Sequence, residues 1–343
     1  MLARLTGLAA LVNPVAPTEV GSLRKSYGLL AEASTTDCMA IHSMDGLRHA
    51  ALKKNNMSLI AFLTMDSLEG FVSYDYLVRD ILQQRGVRVD EVSWRDPHAD
   101  WNQYDLVVIR SPWDYQQSCS QFLDVLARID ASRANLQNPL EVVRWNVQKT
   151  YLRDLQNSGV TIVPTTWLQS PKVADLTNLF QQLKADQVVV KPFIGAGATD
   201  TFWLNSDSSP ELLRSIETLY QGRLALAQPF VESVLSYGEI SLTFFGGEYS
   251  HTVLKTPKMG DFRVQEEHGG IIQRIDPDPE IISFARRSLA AVQADLLYAR
   301  VDLVFLENQQ PAIMELELIE PSLYLSYDEA SPRRFADAIA ARL

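Results

Sequence analysis

Arg300-Val301-Asp302-Leu303-Val304-Phe305-Leu306 is followed by a short polar turn and then by Ala312-Ile313-Met314-Glu315-Leu316-Glu317-Leu318-Ile319-Glu320-Pro321. These are two apolar, strand-like runs with acidic residues set into them. Side chains alternate across a strand, so Glu315 and Glu317 share one face. A hairpin joining the runs brings Asp302 alongside. Carboxylates packed among Val, Leu, Ile and Phe repel one another and resist burial. A hard divalent cation resolves both problems, and oxygen donors favour Mg²⁺.

The chain of 343 residues is long enough for two or three domains with sizeable cores. Its net charge of −11 argues against non-specific nucleic-acid binding, which needs a basic surface. No apolar run approaches bilayer-spanning length, so no membrane partner is expected. Cys38 and Cys119 are the only cysteines, and they suggest neither a disulfide framework nor a thiolate metal site. A cytoplasmic setting is the default expectation.

Residues 1–56 read as an extension with little packing of its own. Its apolar patch, Leu8 to Val12, is short for a signal peptide, and no clear small-residue cleavage site follows. From Met57 the pattern alternates strands and helices. Strands are expected at 58–64, 87–92 and 106–110, and helices at 72–84 and 118–130. This rhythm implies a small parallel sheet covered by helices over 57–140. Asn138-Pro139 marks a boundary. Residues 141–231 then hold a helix stopping near Gly159 and strands at 188–190, 201–204 and 224–227. Residues 232–343 hold a hairpin turning at Gly246-Gly247, a helix at 279–293, the acidic hairpin and a terminal helix at 328–343.

Three further segments bear on chemistry. In Val188-Val189-Val190-Lys191-Pro192-Phe193-Ile194-Gly195-Ala196-Gly197-Ala198-Thr199, a strand delivers a lysine and then a small-residue loop. Backbone N–H groups of such a loop can approach phosphate oxygens, with the lysine as a point charge. Taken alone, an ordinary hairpin turn and a solvated lysine explain it better. Gln228-Pro229-Phe230-Val231-Glu232 can read an adenine edge through its backbone, or simply connect two domains. Lys255-Thr256-Pro257-Lys258-Met259-Gly260-Asp261-Phe262-Arg263 can stabilise a transferring phosphoryl group or be a solvated basic loop. His268 follows it, and a loop hydrogen bond is a better reading there than proton transfer. At the end of the third strand, Arg110, Trp113, Asp114 and Tyr115 lie where open α/β sheets bind ligands. The structural alternative packs Trp113 under the next helix and pairs Arg110 with Asp114.

The order of these segments resembles the ATP-grasp superfamily, over roughly residues 57–343. The resemblance implies an N-terminal parallel α/β domain followed by two lobes with antiparallel sheets that sandwich ATP. By resemblance, Lys149 and Lys191 bind ATP phosphates, and Gly195, Gly197 and Thr199 belong to a mobile phosphate loop. Gln228, Phe230 and Val231 form the adenine hinge, with Glu232 next to it, and Glu239 binds ribose. Arg263 stands beside the γ-phosphate, with Lys258 and Lys191 as further catalytic candidates. Asp302, Glu315 and Glu317 match the Mg²⁺ ligands, for two ions that Mn²⁺ can replace. Many members carry asparagine where Glu317 stands, so the extra charge is expected either to tighten metal binding or to be balanced by Lys258 or Arg300.

Val-Ile-Arg110-Ser-Pro-Trp113-Asp114-Tyr115, Arg-Trp145-Asn146-x-x-Lys149-x-Tyr-Leu, Gly260-Asp-Phe-Arg263 and Glu315-x-Glu317-x-Ile-Glu320-Pro321 are similar to the branch containing the O-ureido-D-serine cyclo-ligase. The implied activity is an ADP-forming carboxylate–amine ligation through an acylphosphate. Its partners are a small-molecule carboxylate and an amine, joined within one molecule if the branch governs the chemistry. A homodimer is an assembly that the superfamily makes reasonable. A nucleotide-binding protein without ligase activity would lack the metal acids or the basic loop. A Rossmann dehydrogenase would need a Gly-x-Gly-x-x-Gly after the first strand.

Overall fold

A computed structural model describes residues 57–343. The extension expected over 1–56, with Cys38, His42 and His49, lies outside them. Four strands, β1 (Leu59–Thr64), β2 (Arg88–Ser93), β3 (Leu106–Ser111) and β4 (Asn135–Gln137), form a parallel sheet in the order β2-β1-β3-β4. Strand β1 is buried on both faces, as a parallel strand must be. Ala61 and Leu63 face the helix Cys119–Asp130 through Phe122, Leu126 and Ile129. Ile60 and Phe62 face the helix Asp75–Gln84 through Val78 and Leu82. The C-terminal helix Ser331–Ala340 joins that second face with Phe335, Ala336 and Ile339.

Strands β5 (Thr166–Gln169), β6 (Gln187–Pro192), β7 (Phe202–Asn205) and β8 (Leu224–Pro229) form an antiparallel sheet in the order β5-β8-β6-β7. Val188 and Val190 pack with Leu176, Leu179 and Ile216 of two covering helices. Strand alternation then puts Lys191 on the opposite, uncovered face.

Strands β9 (Glu239–Phe245), β10 (Glu248–Thr256), β11 (Ile271–Ile275), β12 (Tyr298–Phe305) and β13 (Pro311–Glu317) form the third sheet, ordered β11-β10-β9-β12-β13 and antiparallel throughout. Ile240, Leu242, Val301, Leu303, Ile313 and Leu316 fill one face with Ile281 and Ala285 of the helix Pro279–Ala290. The alternation of β12 and β9 sends Arg300, Asp302, Glu239 and Ser241 to the other face.

The expected fold class holds: a parallel α/β unit and two antiparallel sheets. Element ends differ locally. The first helix begins at Asp75, where the Ser73 hydroxyl bonds its carboxylate at 2.9 Å, rather than at Val72. The terminal helix begins at Ser331, because Asp328 is held outside it by Arg274 and Arg334. Strands β4 and β5 and the helices Leu140–Asn146 and Val173–Leu183 were not legible; the two strands are too short to show alternation.

Candidate active site

The polar face of the third sheet is a cross-strand lattice. Asp302 lies opposite Glu315 and Ser241, Arg300 opposite Glu317, and Lys255 opposite Glu239. A bulge in β13 falls beside Glu315, between the pairs Asp302–Glu315 and Leu303–Ile313. The extra residue re-aims the strand, so Ile313 and Leu316 both face the core while Glu315 and Glu317 share the polar face. Carboxylate oxygens of Asp302, Glu315 and Glu317 lie within 4.8 Å of one another. Three converging hard oxygen donors fit Mg²⁺, as expected from the hairpin alone.

Each carboxylate already holds a cation. Glu315 meets Lys149 Nζ at 2.8 Å and Lys191 Nζ at 3.6 Å. Asp302 accepts from Ser241 Oγ at 2.6 Å and from Arg300 Nε at 3.0 Å, and Lys255 Nζ is 3.4 Å away. Glu317 pairs with Arg300. Lys255 also meets Glu239 at 2.5 Å. Four cations thus face four carboxylates, which is what makes burial of this many charges tolerable.

The acidities follow from these partners. Burial pushes the Glu315 carboxyl up, but Lys149 and Lys191 outweigh it and hold it at about 2. Burial also opposes ionisation of Asp302, and Arg300 and Lys255 overcome it, keeping the group well below the usual carboxylate range. Glu317 rises to about 7, through burial and the charges of Asp302 and Glu315, because it shares its arginine with Asp302. Burial lowers Lys191, and neighbouring Lys149 adds to that, against the pull of Glu315.

Strand β13 is the edge of its sheet, and exposed edges need partners. Thr161 O accepts from Ile313 N at 2.9 Å, and Val163 N donates to Ile313 O at 3.1 Å. Asn146 Nδ2 donates to Leu316 O at 2.8 Å, and its Oδ1 accepts from Leu318 N at 3.0 Å. Tyr151 Oη accepts from Leu316 N at 3.0 Å. The segment around Lys149 therefore both fastens the acidic strand and reaches its carboxylate. Asn146, Tyr151, Lys255 and Ser241 escaped assignment to the site from sequence, whereas Arg300 was one of two residues expected to balance Glu317. Lys255 had a signal: it falls at the same alternation as the apolar Val253 and so shares one face of its strand with it and with His251, all three buried.

The glycine loop is also brought in. Lys149 Nζ donates to Gly195 O at 3.2 Å and its backbone N–H to Phe193 O at 2.9 Å. A Cβ at Gly195 would sit 2.7 Å from Pro192 Cγ, and Gly197 has φ +59°, so both positions favour glycine. His268 Nε2 lies 3.0 Å from Gly197 O, the loop contact expected of it. Thr199 N donates back to Ala196 O within the loop. In the 228–232 segment, Gln228 is buried and donates to Thr165 Oγ1 at 3.0 Å, while Phe230 stacks on Trp203 with ring centroids 4.6 Å apart. Val231 is buried and Glu232 exposed.

Two candidates stay apart. Arg263 folds back on Asp261 with bonds of 3.0 and 2.8 Å, and Lys258 is exposed. Among the described residues, the ion pairs of the carboxylate cluster come from Lys149, Lys191, Lys255 and Arg300. Arg300 is therefore the balance for Glu317, and Lys258 is not.

The strand-end residues divide. Arg110 is 2 % exposed and pairs with Asp75 at 2.9 Å, not with Asp114 as the structural alternative had it. Asp114 accepts from Trp94 Nε1 at 2.7 Å and Arg95 Nε at 2.9 Å. These partners take Arg110 and Asp114 away from the carboxylates. Trp113 Nε1 donates to Glu320 O at 2.9 Å, and Tyr115 stacks on Phe122 beside it. Only this second pair adjoins the end of the acidic strand.

Glu320 itself is pushed up to about 8, first by burial and then by the charge of Glu317. Its ordinary value is 4.5, so the folded state retains a proton that the unfolded chain releases. The stability from that proton is complete below about pH 4.5 and is lost as pH rises to about 8. In EDTA, Glu320→Gln should therefore flatten the fall in melting temperature across this window. Equal slopes for variant and parent would contradict the assignment.

Residues 60–138 match the family model "D-cycloserine synthetase DcsG, N-terminal domain". The chain is 33% identical over 299 residues to the cycloserine biosynthesis protein DcsG of Streptomyces lavendulae, covering 84% of this chain and 99% of that protein. The crystal structure of D-cycloserine synthetase DcsG superposes with a TM-score of 0.75 at 32% identity, covering 83% of this chain and 99% of that one. The RimK domain ATP-grasp protein of Sphaerobacter thermophilus matches with a TM-score of 0.63 at 13% identity, over 83% of this chain and 99% of that one, a likeness of fold. Among the described residues no helix is long and apolar enough to cross a membrane. The chain belongs to the ATP-grasp ligases, in the branch of the D-cycloserine synthetase DcsG.

Proposed function

We propose that the protein is an ADP-forming carboxylate–amine ligase acting through an acylphosphate on a small amino-acid-like substrate. The observation that carries this is Glu315, held at once by Lys149 and Lys191 beside Asp302 and Glu317. Lysines from two separate segments converge on the acidic strand, where a triphosphate and a divalent cation can replace the ion pairs with charges of the same kind. Asp302, Glu315 and Glu317 would hold Mg²⁺, which neutralises charge on phosphate oxygens during phosphoryl transfer. Lys149 and Lys191 would move from Glu315 to the phosphates, and Gly195 to Thr199 would close over them. Phe230 N–H is already bonded to Gln187 O at 2.9 Å, so an adenine would be read through the next residues, Val231 and Glu232. Glu239 would accept from ribose, with Lys255 holding it in place. Such chemistry relies on positioning and electrostatics and needs no side-chain nucleophile.

A ring-closing version of the reaction, with acid and nitrogen in one molecule, is favoured by the 99% coverage of DcsG, whose name denotes synthesis of a cyclic product. The lobes correspond on this reading to residues 57–140, 141–231 and 232–343. The test is ADP release across a panel of amino acids and their derivatives, with and without Mg²⁺. ADP should form only with an acid acceptor and a divalent cation, and product mass separates a ring from an intermolecular amide. Release of AMP, or hydrolysis indifferent to every acid offered, would overturn the proposal.

A further inference from the structure

Arg300 is held differently from the three lysines at the carboxylate cluster. Lysines are point charges on flexible stems, whereas a guanidinium is a rigid fork. Arg300 Nε and a terminal nitrogen donate to Asp302 at 3.0 and 2.8 Å, and the same terminal nitrogen also pairs with Glu317. The remaining nitrogen donates to Ser322 O at 3.1 Å, and the Tyr324 ring lies 5.5 Å from the guanidinium carbon. The residue is 6% exposed. Every edge of the fork is therefore engaged by a group of the same sheet or of the segment just after it. In the strand pairing Arg300 stands directly opposite Glu317, while Asp302 stands opposite Glu315. One cation and three carboxylates form a square on one face.

We propose that Arg300 is a positioning residue for the metal site. It cancels the charge of Glu317 and anchors that carboxylate, so the square presents the net charge of two carboxylates rather than three. Lys149 and Lys191 are free to leave Glu315 for phosphate, but Arg300 is built in, so the compensation persists when the lysines move. Glu317 and Arg300 then act as one unit: removing the acid alone leaves Arg300 on Asp302 and drops the square to the net charge of one carboxylate, which weakens its pull on a divalent ion. Removing both restores the charge.

This inference rests on the metal–nucleotide reading above. The test is Mn²⁺ titrated into the protein with ADP, free Mn²⁺ being read by electron paramagnetic resonance. Glu317→Gln should weaken Mn²⁺ binding by about 10–100-fold. The double variant Arg300→Met/Glu317→Gln, although it carries one more substitution, should bind more tightly than the single one. A merely structural role for Arg300 gives the opposite order, and a double variant no tighter than Glu317→Gln overturns the proposal. A parent chain that binds no Mn²⁺ with ADP overturns both this inference and the functional reading. If melting curves show the double variant unfolded, Arg300→Lys decides. Lysine keeps the charge without the fork, so Mn²⁺ affinity should hold within a few-fold while kcat falls. A loss of affinity as large as that of Glu317→Gln overturns the proposal.

Discussion

Replacing Glu315 with glutamine is expected to lower Mg²⁺-dependent ADP formation by about 10²–10³-fold, since a charged metal ligand supplies several kcal/mol at the transferring phosphate. The substitution keeps shape and removes one negative charge. It acts twice. The metal site loses a ligand, and the Lys149 and Lys191 side chains, 13% and 10% exposed, lose their shared carboxylate. Breaking a buried pair by removing one partner costs about 3–5 kcal/mol, and the amide oxygen that remains places this case at the lower end. Urea denaturation should therefore show a less stable protein, and a coupled ADP assay an inactive one. Unchanged turnover in Glu315→Gln would mean that the acidic hairpin is not the metal site.

The largest stability effect is expected at Asn138, which makes no contact with the proposed substrates. Its side chain is fully buried. Nδ2 donates to Tyr298 O at 2.9 Å and Leu318 O at 2.8 Å, and Oδ1 accepts from Leu297 N at 2.8 Å. One side chain thus ties the end of the parallel-sheet unit to the start of β12 and the end of β13. Asn138→Leu fills the volume but leaves three buried backbone groups unpaired, each costing about 1–3 kcal/mol. The sum is on the order of 3 kcal/mol or more. A loss under about 1 kcal/mol by chemical denaturation would show that water or a backbone shift satisfies these groups.

The acidic hairpin was legible because its signal is local: alternation on two adjacent strands, with the turn between them. Lys191, at the end of a Val-rich strand before a glycine loop, was ambiguous locally and joined the site only through the order of the segments along the chain. Most partners that tune the site were not legible. Asn146 and Tyr151 act on an open strand edge more than 160 residues away, and no local pattern marks that. Arg300 was offered as a balance for Glu317 only beside Lys258, and Lys255 lies in the basic segment without a partner named. Choosing Arg300 and pairing Lys255 with Glu239 both depend on strand register, which hydrophobic patterning sets only after the sheet is assembled. The ion-pair partner of Arg110 was misread as Asp114, because the neighbouring helix is not placed by the sequence. Asp75 on that helix takes up the arginine. In the Lys258–Arg263 segment composition alone gave no way to see that Asp261 would hold the arginine back.

On the proposed function, the ion pairs that Glu315 makes with Lys149 and Lys191 give way to a nucleotide and a divalent cation. A crystal structure with a non-hydrolysable ATP analogue and Mn²⁺ tests it most directly, because anomalous scattering locates the ion. The expected result is Mn²⁺ on Asp302, Glu315 and Glu317, both lysines within hydrogen-bond reach of phosphate oxygens, and the purine against residues 228–232. Mn²⁺ bound elsewhere, or both lysines still on Glu315 with the nucleotide distant from them, would contradict it.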